Sequence, residues 1–280
     1  SSDVCSSDLE YELGLGLFGD RWPPMKLLIK LGGTLLDQAD SRERLAREIA
    51  AVAQREQVVV VHGGGKQMTR FLAERGVESR FVNGLRVTTP DVIDAVVKVF
   101  AGSVNAQLVT AFRAVGARPV GLSGLSAGLV DAVQLDPELG QVGKPVASDG
   151  RLLDVLVRES YLPVVACVAG DANGAIFNVN GDQMAVACAQ GFAADQLIFL
   201  TDVEGVRDGE GHTRAQLTIA EAQELIATGV AVGGMQAKLE SAMSALRNGV
   251  GQVRIAPGAR VGIVDALLAG EAAGTRLISD

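Results

Sequence analysis

The chain has 280 residues, 48% of them apolar and only 4% aromatic, with a formal net charge of −8. That length holds one large domain or two modest ones, and small and branched aliphatics suit parallel strands buried under helices. The acidic balance argues against nucleic-acid binding, and no apolar run approaches the ~20 residues of a membrane helix.

Residues 1–24 read differently from the rest. Ser1 to Leu9 is polar and aperiodic, and lacks the basic start and apolar core of a signal peptide. Trp22-Pro23-Pro24 breaks the chain before Met25. Met25 is the expected true start, with residues 1–24 a non-native or disordered leader; without its five acids and one base the charge is about −4. The leader's Gly14-Leu15-Gly16-Leu17-Phe18-Gly19 follows no strand and precedes two prolines, so it is no dinucleotide fingerprint. Cys5, Cys167 and Cys188 have no paired spacing, so free thiols in a reducing, cytoplasmic setting are expected.

From Met25 strand and helix patterns alternate. Strand Lys26–Leu31 leads to a helix over Ser41–Arg55. Strand Gln57–Val61 leads through Gly63-Gly64-Gly65 to a helix over Gln67–Arg75. Arg80 to Thr88 alternates around Asn83-Gly84, the strongest short hairpin signal, and Pro90 opens the next helix. Strand Arg118–Leu122, two short strands over Val130–Leu135 and Gly143–Ala147, helix Leu152–Glu159 and strand Leu162–Val168 close a first half. The second half contains strand Ala175–Val179, helix Asp182–Gln190, strand Gln196–Leu200, helices Ile219–Ala227 and Met235–Asn248, strand Gln252–Ile255 and helix Gly262–Leu268. Such alternation implies an α/β fold, a mostly parallel sheet with helices on both faces. No internal repeat is evident.

Two glycine clusters follow strand ends: Gly32-Gly33 after Lys30, and Gly63-Gly64-Gly65 after His62. One glycine pair alone reads as a tight turn. Two at strand C-termini, one beside a lysine, point to a shared anion site, where backbone N–H groups approach phosphate closely and an ammonium adds charge. No Walker A loop is present, since Gly140 to Pro145 has the wrong spacing and ends in proline. Asn178-Val179-Asn180-Gly181-Asp182 opens a helix. Its polar residues serve as an Asx cap, and Asp182 stays ionised there, able to orient lysines. Lys238 lies near a helix N-terminus, where the dipole disfavours a cation, which calls for an anionic neighbour. Arg86, after the Asn-Gly turn, can clamp a carboxylate if the hairpin overhangs the site. His62 and His212 have no Ser or Cys partner for a hydrolase triad, and no cluster suggests a structural metal.

Together these residues resemble the amino acid kinase family. The likeness runs from about Lys26 to Leu277, in family order: Lys30-Leu31-Gly32-Gly33, Val61 to Gly65, Asn83 to Thr88, Tyr161 to Val165, Asn178 to Gln183, Thr201 to Val206, Gly233-Gly234-Met235 with Lys238, and Gly274-Thr275. Each is weak alone; the ordered set is specific. The Asn-Gly-Leu-Arg-Val-Thr hairpin marks the branch that acts on N-acetylated glutamate.

The resemblance implies a three-layer αβα sandwich of the carbamate kinase-like type and ATP-dependent phosphorylation of the γ-carboxylate of N-acetyl-L-glutamate, the second step of arginine biosynthesis. It assigns the amino acid to residues 25–169 and ATP to residues 170–280. Lys30 and Lys238 would stabilise the transferring phosphoryl group, with Asp182 holding both lysines. Gly64, Gly65, Arg86 and Asn178 would bind acetylglutamate. Gly32, Gly33, Asp202, Val203, Glu204, Gly205, Val206 and Arg207, with Val230, Ala231 and Val232, would line the nucleotide site, and Mg²⁺ would ride on the phosphates. Gln236-Ala237 stands where an apolar pair is usual, and Gly181 where alanine is common, the latter a harmless change. Residues 1–24 lack the periodicity of the extra helix of arginine-inhibited hexameric members, so an arginine-insensitive homodimer is expected. The alternatives are a kinase for carrier-bound aminoadipate or glutamate in lysine biosynthesis, and a sensor that binds amino acid and nucleotide without turnover.

Overall fold

The computed structural model describes residues 24–280. The leader expected over residues 1–24, with Cys5, lies outside the described residues except for Pro24.

The first unit is β1 (Lys26–Leu31), α1 (Ala39–Val52), β2 (Gln57–His62) and α2 (Gly65–Ala73). The hairpin follows, β3 (Phe81–Val82) and β4 (Leu85–Arg86), with Asn83 and Gly84 at φ of 50° and 78°. Two successive positive φ values are what a two-residue hairpin turn of the primed type demands, and Asn-Gly meets that demand cheaply. Pro90 then starts α3 (Pro90–Val96), which widens into a π turn over Val97–Val104 and continues as α4 (Asn105–Ala114).

This continuous helix, Pro90–Ala114, is long and apolar enough to span a membrane by length and composition, which corrects the expectation that no stretch approaches that. Half of its most apolar window is buried in the protein. Val92, Val96, Phe100, Val104, Leu108 and Phe112 lie in the core, so the apolarity serves packing.

The chain continues through β5 (Pro119–Ser123), β6 (Val130–Gln134), β7 (Val142–Ser148), α5 (Arg151–Arg158), β8 (Leu162–Ala166), β9 (Val168–Gly170), β10 (Ile176–Val179) and α6 (Gly181–Gly191). It ends with β11 (Gln196–Thr201), β12 (Gln216–Thr218), α7 (Ile219–Ala227), α8 (Gly233–Arg247), β13 (Gln252–Pro257), α9 (Ile263–Leu268) and β14 (Thr275–Ile278).

Eight strands form one sheet in the order β12-β14-β13-β11-β1-β2-β8-β5. All neighbours are parallel except β13 and β14. The central strands carry unbroken apolar runs because both faces are covered: Leu27 to Ile29, Val59 to Val61 and Leu197 to Leu200 are all fully buried. Helix α6 packs under β1, β2 and β11 and against α8, while α1 packs on α4 and α9. The expected halves thus share one sheet through the β1–β11 pair, with Leu28 opposite Leu197 and Lys30 opposite Phe199. From that pair β1 is followed outward by β2 on one side and β11 by β13 on the other, so the connections leave in opposite directions. The pair is therefore the topological switch point, where open parallel sheets hold their ligands beyond the strand C-termini.

Three features depart from the sequence reading. The single strand expected over Leu162–Val168 is two: β8 stays in the sheet, and after Cys167 the chain turns away as β9. Strand β9 joins β6, β7 and β10 in a small closed barrel. Strands β12, at the sheet edge, and β14, beside it, were not expected, since three or four residues show too little alternation to register.

Leu28 lies on the central strand with no exposure. Leu28→Ala should lower unfolding free energy by about 2–5 kcal/mol in urea titrations; a loss well under 1 kcal/mol would contradict two-sided burial of β1.

Candidate active site

At the switch point three elements converge on one carboxylate. Strand β1 supplies Lys30, α6 supplies Asp182 and α8 supplies Lys238. Lys30 Nζ lies 2.7 Å from Asp182 Oδ1, and Lys238 Nζ donates to Asp182 Oδ2 at 2.8 Å. All three side chains are almost wholly buried, with 9–13% of their surface exposed. Asp182 is the second residue of α6, whose N-cap is Asn180; the Asn180 amide oxygen accepts from the N–H groups of Asp182 (2.8 Å) and Gln183 (3.3 Å). The Asx cap read from the sequence is therefore present, and it places the carboxylate in the favourable field of the helix N-terminus.

Burial pulls the Asp182 pKa upward, but Lys30 and Lys238 outweigh it and hold the group below the usual carboxylate range. Lys238 moves down, driven by burial and then by Lys30, with Asp182 opposing. Its ammonium also lies 5.6 Å from the centre of the Phe199 ring. The anionic neighbour expected for a lysine at a helix start is Asp182. Two cations on one anion leave a net positive charge facing the strand ends.

The two glycine loops meet beside this triad. A Cβ built on Gly33 would lie 3.6 Å from Gly65 N, so the loops are in contact. Gly32 donates its N–H to Leu200 O at 3.0 Å, which ties the first loop to the end of β11. A Cβ on Gly64 would come within 2.7 Å of the Phe100 ring, presented by the widened turn of the long helix, so only glycine fits there. At Gly181 a Cβ would lie 3.3 Å from Lys30 Cε, a contact the lysine stem can relieve by a small shift, so alanine there is not free of consequence for Lys30.

The hairpin does overhang the site, but the Arg86 fork is partly occupied. Its Nη2 donates to Gly65 O at 3.1 Å and Thr69 Oγ1 at 2.8 Å, its Nη1 to Ser79 Oγ, and the group lies over the Phe81 ring. Asn178 Nδ2 donates to Thr88 Oγ1 (3.1 Å), and Thr88 Oγ1 donates to Arg86 O (2.8 Å), so Asn178 and Arg86 belong to one network. A cleft of about 570 Å³ opens between Gly33, Thr34, Gly65, Lys66, Phe81 and Arg86.

Beyond β11, Asp202 accepts from Thr34 Oγ1 at 3.0 Å and Thr201 Oγ1 at 3.2 Å. Partial burial raises its pKa, while the Thr34 hydroxyl and other donors, with the charge of Lys66, bring it below the usual range. Val203 and Glu204 are exposed; Gly205 has φ 156°, and a Cβ there would meet Thr275 Oγ1 at 2.7 Å. Val206 is buried, its N–H held by Thr275 Oγ1 at 2.8 Å, and Arg207 pairs with Thr213. Val230 and Val232 are exposed, whereas Ala231 is buried and donates to Leu225 O. A Cβ built on Gly209 would lie 3.7 Å from Val230 Cγ2, so the chain just after the 202–207 segment adjoins Val230. Val206 and Ala231 thus turn their side chains to the core rather than outward.

Sequence reasoning missed Thr34, Thr69 and Lys66. Lys66 was findable: it is the second residue of α2, directly after the glycine run, and so nearer its helix start than Lys238, the sixth residue of α8. Cys167 Sγ donates to His62 O at 2.9 Å, and burial pushes its thiol up to about 12, so it stays protonated. Among the described residues no three His, Cys, Asp or Glu side chains converge as a metal cluster.

The fold and this buried triad define a class with two lysines and one carboxylate gathered at the switch point of a mostly parallel sheet. Comparison with known proteins carries this further: residues 25–257 match the model of the amino acid kinase family, and the chain belongs to that family. It is 60% identical over 256 residues to an acetylglutamate kinase of Solibacter usitatus, covering 91% of this chain and all of that one. An acetylglutamate kinase of Acidobacterium capsulatum is 43% identical over 237 residues, covering 83% and 91%. Among solved structures, an N-acetylglutamate synthase from Neisseria gonorrhoeae, complexed with coenzyme A and N-acetyl-glutamate, superposes with TM-score 0.81 at 24% identity, over 91% of this chain and 60% of that one. Giardia carbamate kinase superposes at 0.70 with 16% identity, over 92% and 99%. Both share the fold.

His62 offers a test of how the second glycine loop is held. Its Nδ1–H donates to Gly63 O at 2.9 Å, and Nε2 accepts from Asn105 Nδ2 at 2.9 Å, so the ring is neutral and wholly buried. Burial lowers its pKa from 6.5 to about 4, only partly offset by the Gly63 bond. The unfolded chain therefore binds a proton that the folded one refuses between pH 6.5 and 4. Stability should fall by on the order of 3 kcal/mol as pH drops through that window. Urea titrations at pH 7, 5.5 and 4.5 should show the loss, and His62→Gln should flatten it above pH 5; an unchanged slope would refute the assignment.

Proposed function

We propose that this protein transfers the γ-phosphoryl group of ATP to the γ-carboxylate of N-acetyl-L-glutamate, giving N-acetyl-L-glutamyl 5-phosphate and ADP in the second step of arginine biosynthesis. The observation that carries the reading is the buried Lys30–Asp182–Lys238 triad at the switch point, in a chain 60% identical to an acetylglutamate kinase over nearly its whole length.

The acceptor needs no general base, because a γ-carboxylate with a pKa near 4.3 is already ionised at neutral pH. The difficulty is electrostatic: two anions must approach in line. Lys30 and Lys238, fixed on Asp182, present ammonium groups where charge passes from leaving to attacking oxygen, without reorganising at the moment of transfer. Gly64 and Gly65 offer backbone at the start of α2, and Arg86 and Asn178 hold the amino acid. Gly32 and Gly33 approach the phosphates. Asp202 to Arg207, with Val230, Ala231 and Val232, bound the nucleotide, Val203, Val230 and Val232 supplying exposed apolar surface.

Mg²⁺ would come bound to the ATP phosphates and lower their charge; Asp182, saturated by two lysines, is unsuited to ligate it. Residues 25–169 would act as the amino-acid lobe and 170–280 as the nucleotide lobe. The reading also carries a cytoplasmic homodimer, which sedimentation equilibrium would check.

Lys30→Ala and Lys238→Ala should each lower kcat by about 10²–10³-fold with far smaller changes in KM; unchanged kcat in either variant would sink that role. Purified protein with ATP and Mg²⁺ should release ADP and form hydroxamate with N-acetyl-L-glutamate in the presence of hydroxylamine, but not with glutamate or aminoadipate. A folded protein that binds ATP yet turns over none of them would overturn the reading and favour a carrier-bound substrate or a sensor.

A further inference from the structure

Asp182 is matched by two lysines, but a second carboxylate faces the same strand ends without a cationic partner. Asp202 is the residue after β11 and, among the described residues, forms no ion pair. Its charge reaches Lys66 and Lys238 only at longer range. The proposed nucleotide brings a strongly anionic polyphosphate to this place. A bare carboxylate there opposes binding unless a cation comes between the two.

Asp202 is nonetheless held in one orientation from both halves of the chain. Thr201, the last residue of β11, donates its hydroxyl to Oδ1 at 3.2 Å, and Thr34 donates to Oδ2 at 3.0 Å. Thr34 follows Gly32-Gly33 just past the end of β1. Its backbone is anchored on the far side. The N–H groups of Leu35 and Leu36 donate to Gly32 O at 3.1 Å and Gly33 O at 3.3 Å, and both leucines are buried in the core. The Thr34 hydroxyl is therefore a fixed donor, and Asp202 is the acceptor that it constrains. An ionised carboxylate has about four acceptor sites, so the two hydroxyls leave about two open.

Those open sites suit a divalent cation. Mg²⁺ takes oxygen ligands, keeps several waters, and is usually held by one or two carboxylates together with substrate phosphates. Among the described residues no three His, Cys, Asp or Glu side chains converge, so no all-protein cage competes for it. Asp202 fits the part of the single carboxylate; Asp182, with a lysine on each oxygen, does not.

We infer that Thr34 is a positioning residue for the metal-bearing nucleotide: its hydroxyl reaches from the first glycine loop to Asp202 and aims that carboxylate at the cation on the ATP phosphates. The inference rests on the ATP-dependent reading and deepens it. It also gives the nucleotide lobe a contact whose geometry is set by the other lobe.

The test is calorimetric titration of ATP, with Mg²⁺ and with EDTA, into wild type, Asp202→Asn, Thr34→Val and Thr34→Ser, each checked for folding by urea titration. Wild type should bind ATP more tightly with Mg²⁺. Asp202→Asn should weaken the Mg²⁺ complex about tenfold, the worth of one contact to a charged group, and bind metal-free ATP at least as tightly as wild type, because a repelling charge is gone. Thr34→Val should lose about threefold, the worth of one ordinary hydrogen bond, and only with Mg²⁺ present. Thr34→Ser keeps the hydroxyl and should restore wild-type affinity. Equal losses with and without metal in Thr34→Val overturn the inference, because the hydroxyl would then only brace the loop. Unchanged affinity in Thr34→Val overturns it too, as does a wild type indifferent to Mg²⁺. A metal advantage that falls in Thr34→Val and returns in Thr34→Ser, in a protein that forms no acyl phosphate, keeps the inference and removes the kinase reading. Phosphorylation by wild type with that advantage intact in Thr34→Val does the reverse.

Discussion

Asp182 holds two ammonium groups at 2.7 and 2.8 Å in a nearly dry place, and the rest of the site is arranged around that fact. Three buried charges are costly to desolvate, and such a cluster persists only when its geometry is good and each member is paired. Here one carboxylate pairs with both lysines, and the start of α6 supports it. The cluster also ties the sequence together. Lys30 comes from the first strand, Asp182 from a helix beneath the central strands, and Lys238 from a helix far along the chain. One carboxylate therefore fixes the spacing of two cations whose backbones belong to different halves. The surplus positive charge is what phosphoryl transfer between anions requires.

Around that centre, backbone does the work that side chains cannot. The two glycine loops lie side by side at Gly33 and Gly65, and Gly64 packs so closely on Phe100, where the long helix widens, that a Cβ there would clash. Beneath them, neutral His62 bridges Gly63 O and Asn105, so the second loop is braced from the core side. The hairpin places Arg86 over the cleft, but uses much of its hydrogen-bonding capacity to hold itself there. Arg86 is thus a structural strut for the mouth of the cleft as well as a source of charge.

Much of this was legible in the chain. Strand β1 and helix α7 have the bounds that their periodicity indicates, and the Asn83-Gly84 turn has the positive φ values its residues demand. Local rules also led to an Asx cap within Asn178 to Asp182, which Asn180 provides, and to an anionic partner for Lys238. Pairing between distant segments left no such trace. The barrel of β6, β7, β9 and β10 depends on Leu162 to Gly170 bending at Cys167, and a run of uniformly apolar residues does not mark its own bend. Strands β12 and β14, at one end of the sheet, are too short to show a period. The fate of the Arg86 donors was hidden because its acceptors, Gly65, Thr69 and Ser79, become neighbours only when hairpin and α2 fold together.

The central claim is that Asp182 acts through the two lysines as a single unit. A double-mutant cycle on kcat measures this directly, using Asp182→Asn, Lys238→Ala and the combined variant, with folding checked by urea titration. If Asp182 works by holding the lysine, the combined variant should be little worse than the poorer single one, a large non-additive coupling. Additive losses from the two substitutions would contradict the account, because each residue would then be contributing independently of the other.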